Sequence, residues 1–206
     1  MANSAPARLI GYFAKGAPIC VIVRRGPTRY SQLILWHTDT DEFVPGQWIR
    51  GRVDHVTLTS DGRYMALGIM GAKSKIHSWE DTQISFVCRP PFFAPLEEAV
   101  GGLCCGVFAF SSDDKVLRPS HKDFKNHASN ECPFGETRNG DYRLYEHKWV
   151  IDATQGPSSA LDHQRRTVRF ELARVYEILE GKPKLLFDAN LYKLENIEAP
   201  EWATKW

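Results

Sequence analysis

The chain has 206 residues, of which 43% are hydrophobic, 25% charged and 12% aromatic, a folded protein's composition that excludes a disordered tail. Lysine plus arginine (26) nearly balances aspartate plus glutamate (25), so the basic excess of a dedicated nucleic-acid binder is missing. Five cysteines, two of them adjacent, do not make the even framework of a secreted disulfide protein.

In chain order, the first stretch, MANSAPARLIGYFAKG, lacks a basic-then-apolar leader pattern, and no run approaches the roughly 18 apolar residues of a membrane span. The expected compartment is the cytoplasm. Residues 18–24 form an apolar β-branched run that stops at Gly26-Pro27. A second run, Tyr30–His37, ends in the polar turn Thr38-Asp39-Thr40-Asp41. Glu42-Phe43-Val44 then leads into Pro45-Gly46, read as a turn. Residues 56–58, the corner Thr59-Ser60-Asp61-Gly62 and the strand 64–70 follow, then 84–88 before Pro90-Pro91. An apolar stretch over 103–110 suits a buried strand.

Residues 111–141 are polar and rich in turn formers, with little apolar periodicity beyond Val116-Leu117, and most of the stretch is read as a long loop. Strands resume over 142–151 and from Thr167. The segment 168–179 has the composition of a helix, but the alternation Val168, Phe170, Leu172 favours a strand, and Gly181-Lys182-Pro183 a hairpin into Leu185-Leu186-Phe187.

A recurrence runs through this β pattern. Thr59-Ser60-Asp61-Gly62, Ser111-Ser112-Asp113-Asp114 and, more weakly, Leu161-Asp162-His163 precede apolar strands, their aspartates 52 and then 49 residues apart. Such a period suits repeated supersecondary units, and propeller blades run about 40–50 residues. The motif resembles the S-x-D-G corner of WD40-like propeller repeats. The strings Pro45-Gly46-Gln47-Trp48-Ile49-Arg50-Gly51-Arg52, Arg89-Pro90-Pro91-Phe92-Phe93 and Ala199-Pro200-Glu201-Trp202-Ala203 resemble a family of uncharacterised bacterial proteins with repeats of this type. The resemblance implies kinship and no particular reaction. It departs from WD40 repeats in lacking a Trp-Asp or Gly-His marker, and Asp113-Asp114 lacks the corner glycine. The expected architecture is a mainly β, single domain over 1–206, built from about four propeller-like antiparallel sheets, with an incomplete or open ring as the alternative to a closed one.

Candidate sites are few. His121, Asp123, His127 and Cys132 are metal-ligand types in one polar stretch, but without the paired spacing of a structural zinc site; the alternative is solvated side chains. Cys104-Cys105 lies among Leu103, Val107 and Phe108, which favours buried, inert thiols over a nucleophile. Arg24, Arg25, Tyr30, Trp48, Arg50 and Arg52, with Arg63, combine planar aromatic and guanidinium groups in the manner of interface residues, or else belong to a solvated strand face and a packed tryptophan. Trp202 and Trp206 either close the last unit or dock a partner.

No phosphate-binding loop, nucleophile elbow, zinc-protease motif or dinucleotide fingerprint occurs, and no cofactor or metal is expected. The first reading is a non-catalytic protein-interaction module of regulatory or immunity type, binding a protein partner. The alternatives are a hydrolase using His121, Asp123 and His127, and a nucleic-acid binder working through the arginine and aromatic side chains.

Overall fold

Short β-branched runs separated by polar corners fold as hairpins, and the described residues form four sheets of them. The computed structural model describes residues 7–26, 29–71, 83–101, 108–111, 113–118, 124–126, 150–152 and 157–206. The first sheet takes β1 (Arg8–Phe13), β2 (Ile19–Arg25), β3 (Tyr30–His37) and β4 (Glu42–Arg50) in order, with β12 (Val150–Asp152) added beside β1. The second takes β5 (Arg52–Leu58), β6 (Met65–Met70), β7 (Gln83–Cys88) and β8 (Glu97–Gly101), with β11 (Phe124–Asn126) beside β8. A third is the pair β9 (Ala109–Phe110) and β10 (Val116–Leu117), and the fourth is β13 (Ser158–Leu161), β14 (Thr167–Glu171), β15 (Arg174–Leu179) and β16 (Lys182–Asp188). All the pairings are antiparallel.

The sheets pack face to face. β2 is the middle of its sheet, and its Cys20, Val21, Ile22 and Val23 are all buried because both faces are covered. One face, through Cys20, Ile22, Ile34 and Trp36, packs on Val168, Phe170, Val175 and Phe187 of the fourth sheet. The other, through Val21, Val23 and Leu33, packs on Val53, Met65, Leu67 and Ile69 of the second. The far side of the second sheet packs Ala66, Val87 and Ala99 on Phe108, Phe110 and Val116. The spatial order is therefore fourth, first, second, third; a closed ring is not seen among the described residues. Buried hydroxyls bridge the last pair: Ser85 Oγ accepts the Phe108 amide at 2.7 Å and Thr57 Oγ1 accepts that of Phe110 at 2.8 Å.

The corners repeat in geometry as well as in sequence. The amides of Thr59, Ser111 and Asp162 donate to the carbonyls of Tyr64, Lys115 and Arg166 at 2.9 to 3.0 Å. In return, the side-chain oxygens of Thr59, Ser111 and Asp162 accept the Tyr64, Lys115 and Arg166 amides at 3.1, 2.9 and 2.8 Å. The fourth corner residue is left-handed each time, with φ 69° at Gly62, 59° at Asp114 and 62° at Arg165. Aspartate is among the non-glycine residues that tolerate this region, so the second corner forms without glycine. These corners join into a row along one end of the sheets: Gly16 donates to the Ser60 carbonyl at 2.8 Å, and the Ser60 amide donates to Asp114 at 2.7 Å. On the other flank, Arg166 reaches the Thr38 carbonyl and both oxygens of Asp41.

Two expectations change. Pro45-Gly46 is not a turn but lies within β4, at a bulge where Gln32 pairs Trp48 while Ile34 pairs Pro45. Among the described residues β4 is an edge strand, where a missing ladder donor is tolerated. Within 111–141 the described residues include β10 and β11, both paired into sheets, while residues 112, 119–123 and 127–141 lie outside the described residues. The segment 168–179 is extended, as the alternation implies, but folds as a hairpin about Leu172, whose φ is 54°.

Candidate functional site

The arginine and aromatic residues singled out from the sequence gather at the end of the first sheet opposite the corner row. Cross-strand pairing sets Arg24 beside Gln32, Gln32 beside Trp48, and Tyr30 beside Arg50. These residues share the face that carries Ile22, Ile34 and Trp36. Arg25 falls on the opposite face, where it donates to the Val53 carbonyl at 2.7 Å and pairs with Asp54 at 3.1 Å. Arg52 pairs with the same carboxylate at 2.8 Å. The six residues thus form two groups.

Arg24 is not a surface residue, contrary to the expectation of an arginine surface. It is 7% exposed, lies 4.8 Å from the ring centre of Trp48, and donates to Gln32 Oε1 at 3.3 Å and the Tyr192 carbonyl at 2.9 Å. Burial lowers its pKa from the ordinary arginine value, partly opposed by Asp188. It acts as an internal strut that fixes Trp48. Arg50 is exposed and has no ion pair among the described residues, and Tyr30 is 37% exposed.

Beside these residues runs an open groove of about 590 Å³, lined by Tyr30, Gln47, Trp48, Ile49, Phe93 and the segment 194–197. Trp48 and Ile49 are consecutive strand residues pointing to opposite faces, so a groove that touches both lies along the edge of β4. Register also places the backbone. Gly51 donates to the Arg29 carbonyl at 2.7 Å, and Thr38 donates to Pro18 at 2.8 Å, so odd-numbered residues of β3 face β4 and even-numbered ones face β2. Ile49 therefore exchanges hydrogen bonds with Ser31, while the amides and carbonyls of Trp48 and Arg50 point away from β3, at Trp48 into the groove.

The opposite wall comes from the C-terminal segment. After β16 and the short 3₁₀ turn Ala189–Leu191, the chain crosses the edge of the first sheet and reaches the second. Gln47 Nε2 donates to the Ile197 carbonyl at 2.7 Å, Trp202 meets Phe92 edge-on at 5.5 Å, Arg89 Nε donates to the Lys205 carbonyl at 2.8 Å, and Trp206 packs 5.6 Å from Tyr64. The tail packs back, as one of its two readings has it, but onto the second sheet rather than the last unit.

Gln47 is the junction. Its amide donates to the Pro91 carbonyl at 3.1 Å, and its Oε1 accepts the Phe93 amide at 2.7 Å. Gly46 permits the approach, since a Cβ there would lie 2.0 Å from the Pro91 oxygen. The strings that carry the family resemblance, Pro45–Arg52, Arg89–Phe93 and Ala199–Ala203, thus meet in one place. Sequence reasoning missed Gln47, Phe93, Leu194 and Ile197 as wall residues; the co-occurrence of those strings was the available signal.

His121, Asp123, His127 and Cys132, and likewise Cys104 and Cys105, lie outside the described residues. Cys20 and Cys88 are buried free thiols whose pKa values burial raises, so both stay protonated at neutral pH. Among the described residues, three or more His, Cys, Asp or Glu side chains do not converge as a metal site, and no helix is long and apolar enough to cross a membrane. Comparison of the chain with protein-family models, curated proteins and solved structures gives no match.

Proposed function

We propose that the chain is a non-catalytic protein-interaction module of regulatory or immunity type, acting in the cytoplasm on a propeller-like scaffold, and that its partner meets the groove along β4. The packing order of the sheets, with the fourth on the first, supports the propeller-like reading, and the meeting of the three strings around Gln47 supports kinship with the bacterial repeat family. One observation carries the functional reading: the strand edge at Trp48 and Arg50, which has no strand partner among the described residues, is bordered by exposed apolar side chains, with Leu194 59% and Tyr30 37% exposed. Solvent-facing edges are normally blunted by charge, proline or cover, and aromatic side chains with arginine are the residues that supply contact area at interfaces.

The nucleic-acid reading has less support, because Asp54 partly offsets the charge of Arg25 and Arg52, Arg24 is buried, and the whole chain carries a formal charge of only +1. A photo-crosslinking amino acid at position 30, used in the cells that make the protein, tests the proposal. A nuclease-resistant protein adduct that disappears with Leu194→Asp is expected; adducts to nucleic acid alone, or protein adducts indifferent to Leu194→Asp, contradict it.

A further inference from the structure

Resting on that interaction reading, we infer that the groove receives its partner by strand addition: an extended peptide pairs with β4 at Trp48–Arg50, presenting an apolar side chain opposite Trp48 and a carboxylate opposite Arg50. Three observations combine. The outward amides and carbonyls of Trp48 and Arg50 have no backbone partner among the described residues, and two donors and two acceptors in alternate positions are what an added strand engages. The groove borders the strand edge at residues 47–49, so a strand added about 4.8 Å away would lie in it beside Trp48 and leave it toward the exposed Arg50. Gln47, bonded to both Pro91 and Ile197, closes the groove beyond Trp48 and limits the paired stretch to a few residues.

The chemistry of the occupant follows from the pleat. Trp48 and Arg50 are two apart and share a face, so the peptide residues opposite them are also two apart and on that face. Arg24 fixes Trp48 from behind, giving a rigid apolar platform, and Arg50 has no carboxylate among the described residues. A carboxylate opposite it completes a charge-assisted pair. Glu195, on the far wall, disfavours a second acidic side chain directed toward the C-terminal segment. An antiparallel peptide therefore reads acidic, any residue, apolar, in that order.

The test is selection of a phage-displayed random dodecapeptide library on the full chain, followed by synthesis of the enriched peptides. Enrichment of an acidic residue two positions before an apolar one is expected. Arg50→Glu is expected to weaken such a peptide by about tenfold or more and to shift selection toward lysine or arginine at the acidic position. N-methylation of the peptide amides that face β4 is expected to cost about tenfold, whereas methylation of the alternate amides changes binding by less than about twofold. Peptides that bind regardless of Arg50→Glu and of which amides are methylated overturn strand addition and leave the interaction reading standing. An empty selection also overturns it, as does displacement of selected peptides by a thymidine oligonucleotide; the interaction reading itself falls only with the cross-linking result.

Discussion

Asp114 accepts both the backbone amide and the hydroxyl of Ser60, so one hairpin corner is held by the residue that closes the next, 54 positions along the chain. Asp114 also occupies the left-handed position that glycine fills in the first corner. Asp114→Ala removes the acceptors and retains the Cβ, and is expected to lower stability by about 1–2 kcal/mol. Asp114→Gly also loses the bonds but relieves the left-handed cost, so it belongs between wild type and the alanine variant. Urea unfolding midpoints order the three proteins; an alanine variant as stable as the glycine variant contradicts this account.

Gly62 combines φ 69° with confinement, because a Cβ would come within 2.9 Å of Ile19 Cγ2, whereas Gly181, at φ 79°, has nothing within 4 Å. Gly62→Ala is expected to destabilise by more than about 1 kcal/mol, and by clearly more than Gly181→Ala, which meets only the backbone cost. Thermal unfolding of the two single variants decides the order. Equal losses would mean that the first and second sheets part easily at this corner.

Arg118 grips the buried Glu97 through two 2.7 Å hydrogen bonds, tying the strand that follows Phe110 to the second sheet. Arg118→Met strands a carboxylate in the interior and is expected to cost about 3 kcal/mol, while adding Glu97→Gln recovers most of that loss. Denaturant titration of both single variants and the double variant measures the coupling. A single variant within about 1 kcal/mol of wild type contradicts the assignment.

Acid should weaken the same end of the molecule. Burial pushes the Asp41 carboxyl up, but two 2.9 Å hydrogen bonds from Arg166 and the charge behind them hold it below its ordinary value. A depressed carboxylate contributes stability that is complete above the unfolded value of about 4 and is lost as pH falls through the native one. Stability is therefore expected to drop below about pH 4, and less steeply in Arg166→Met, whose Asp41 titrates nearer its unfolded value. Urea midpoints across pH 2.5 to 6, about the accessible window, check this; identical slopes contradict it.

The strands were legible where side-chain branching and turn chemistry agree. Tyr30–His37 appears with the bounds read from sequence, and the Thr59–Gly62 corner has the left-handed glycine expected of it. The repeat was legible in outline but misaligned. The aspartates were matched, whereas the repeated element is the oxygen-bearing first corner residue, with Asp162 standing where Thr59 and Ser111 stand. Pro45-Gly46 misled because a turn dipeptide and an edge-strand bulge share residue preferences, and only pairing with β3 separates them. For the site, Tyr30, Trp48 and Arg50 were identifiable by type. The burial of Arg24 was not, because it depends on Tyr192 arriving from 168 residues away.

The most direct test is amide hydrogen exchange, read by NMR on the free chain and on the chain with a selected peptide. If β4 offers an open edge, the Trp48 and Arg50 amides exchange at least about tenfold faster than those of Ile49 and Gly51, which face Ser31 and Arg29, and become protected when peptide binds. Equal protection of all four amides in the free chain, or no change at Trp48 and Arg50 on binding, would contradict the site.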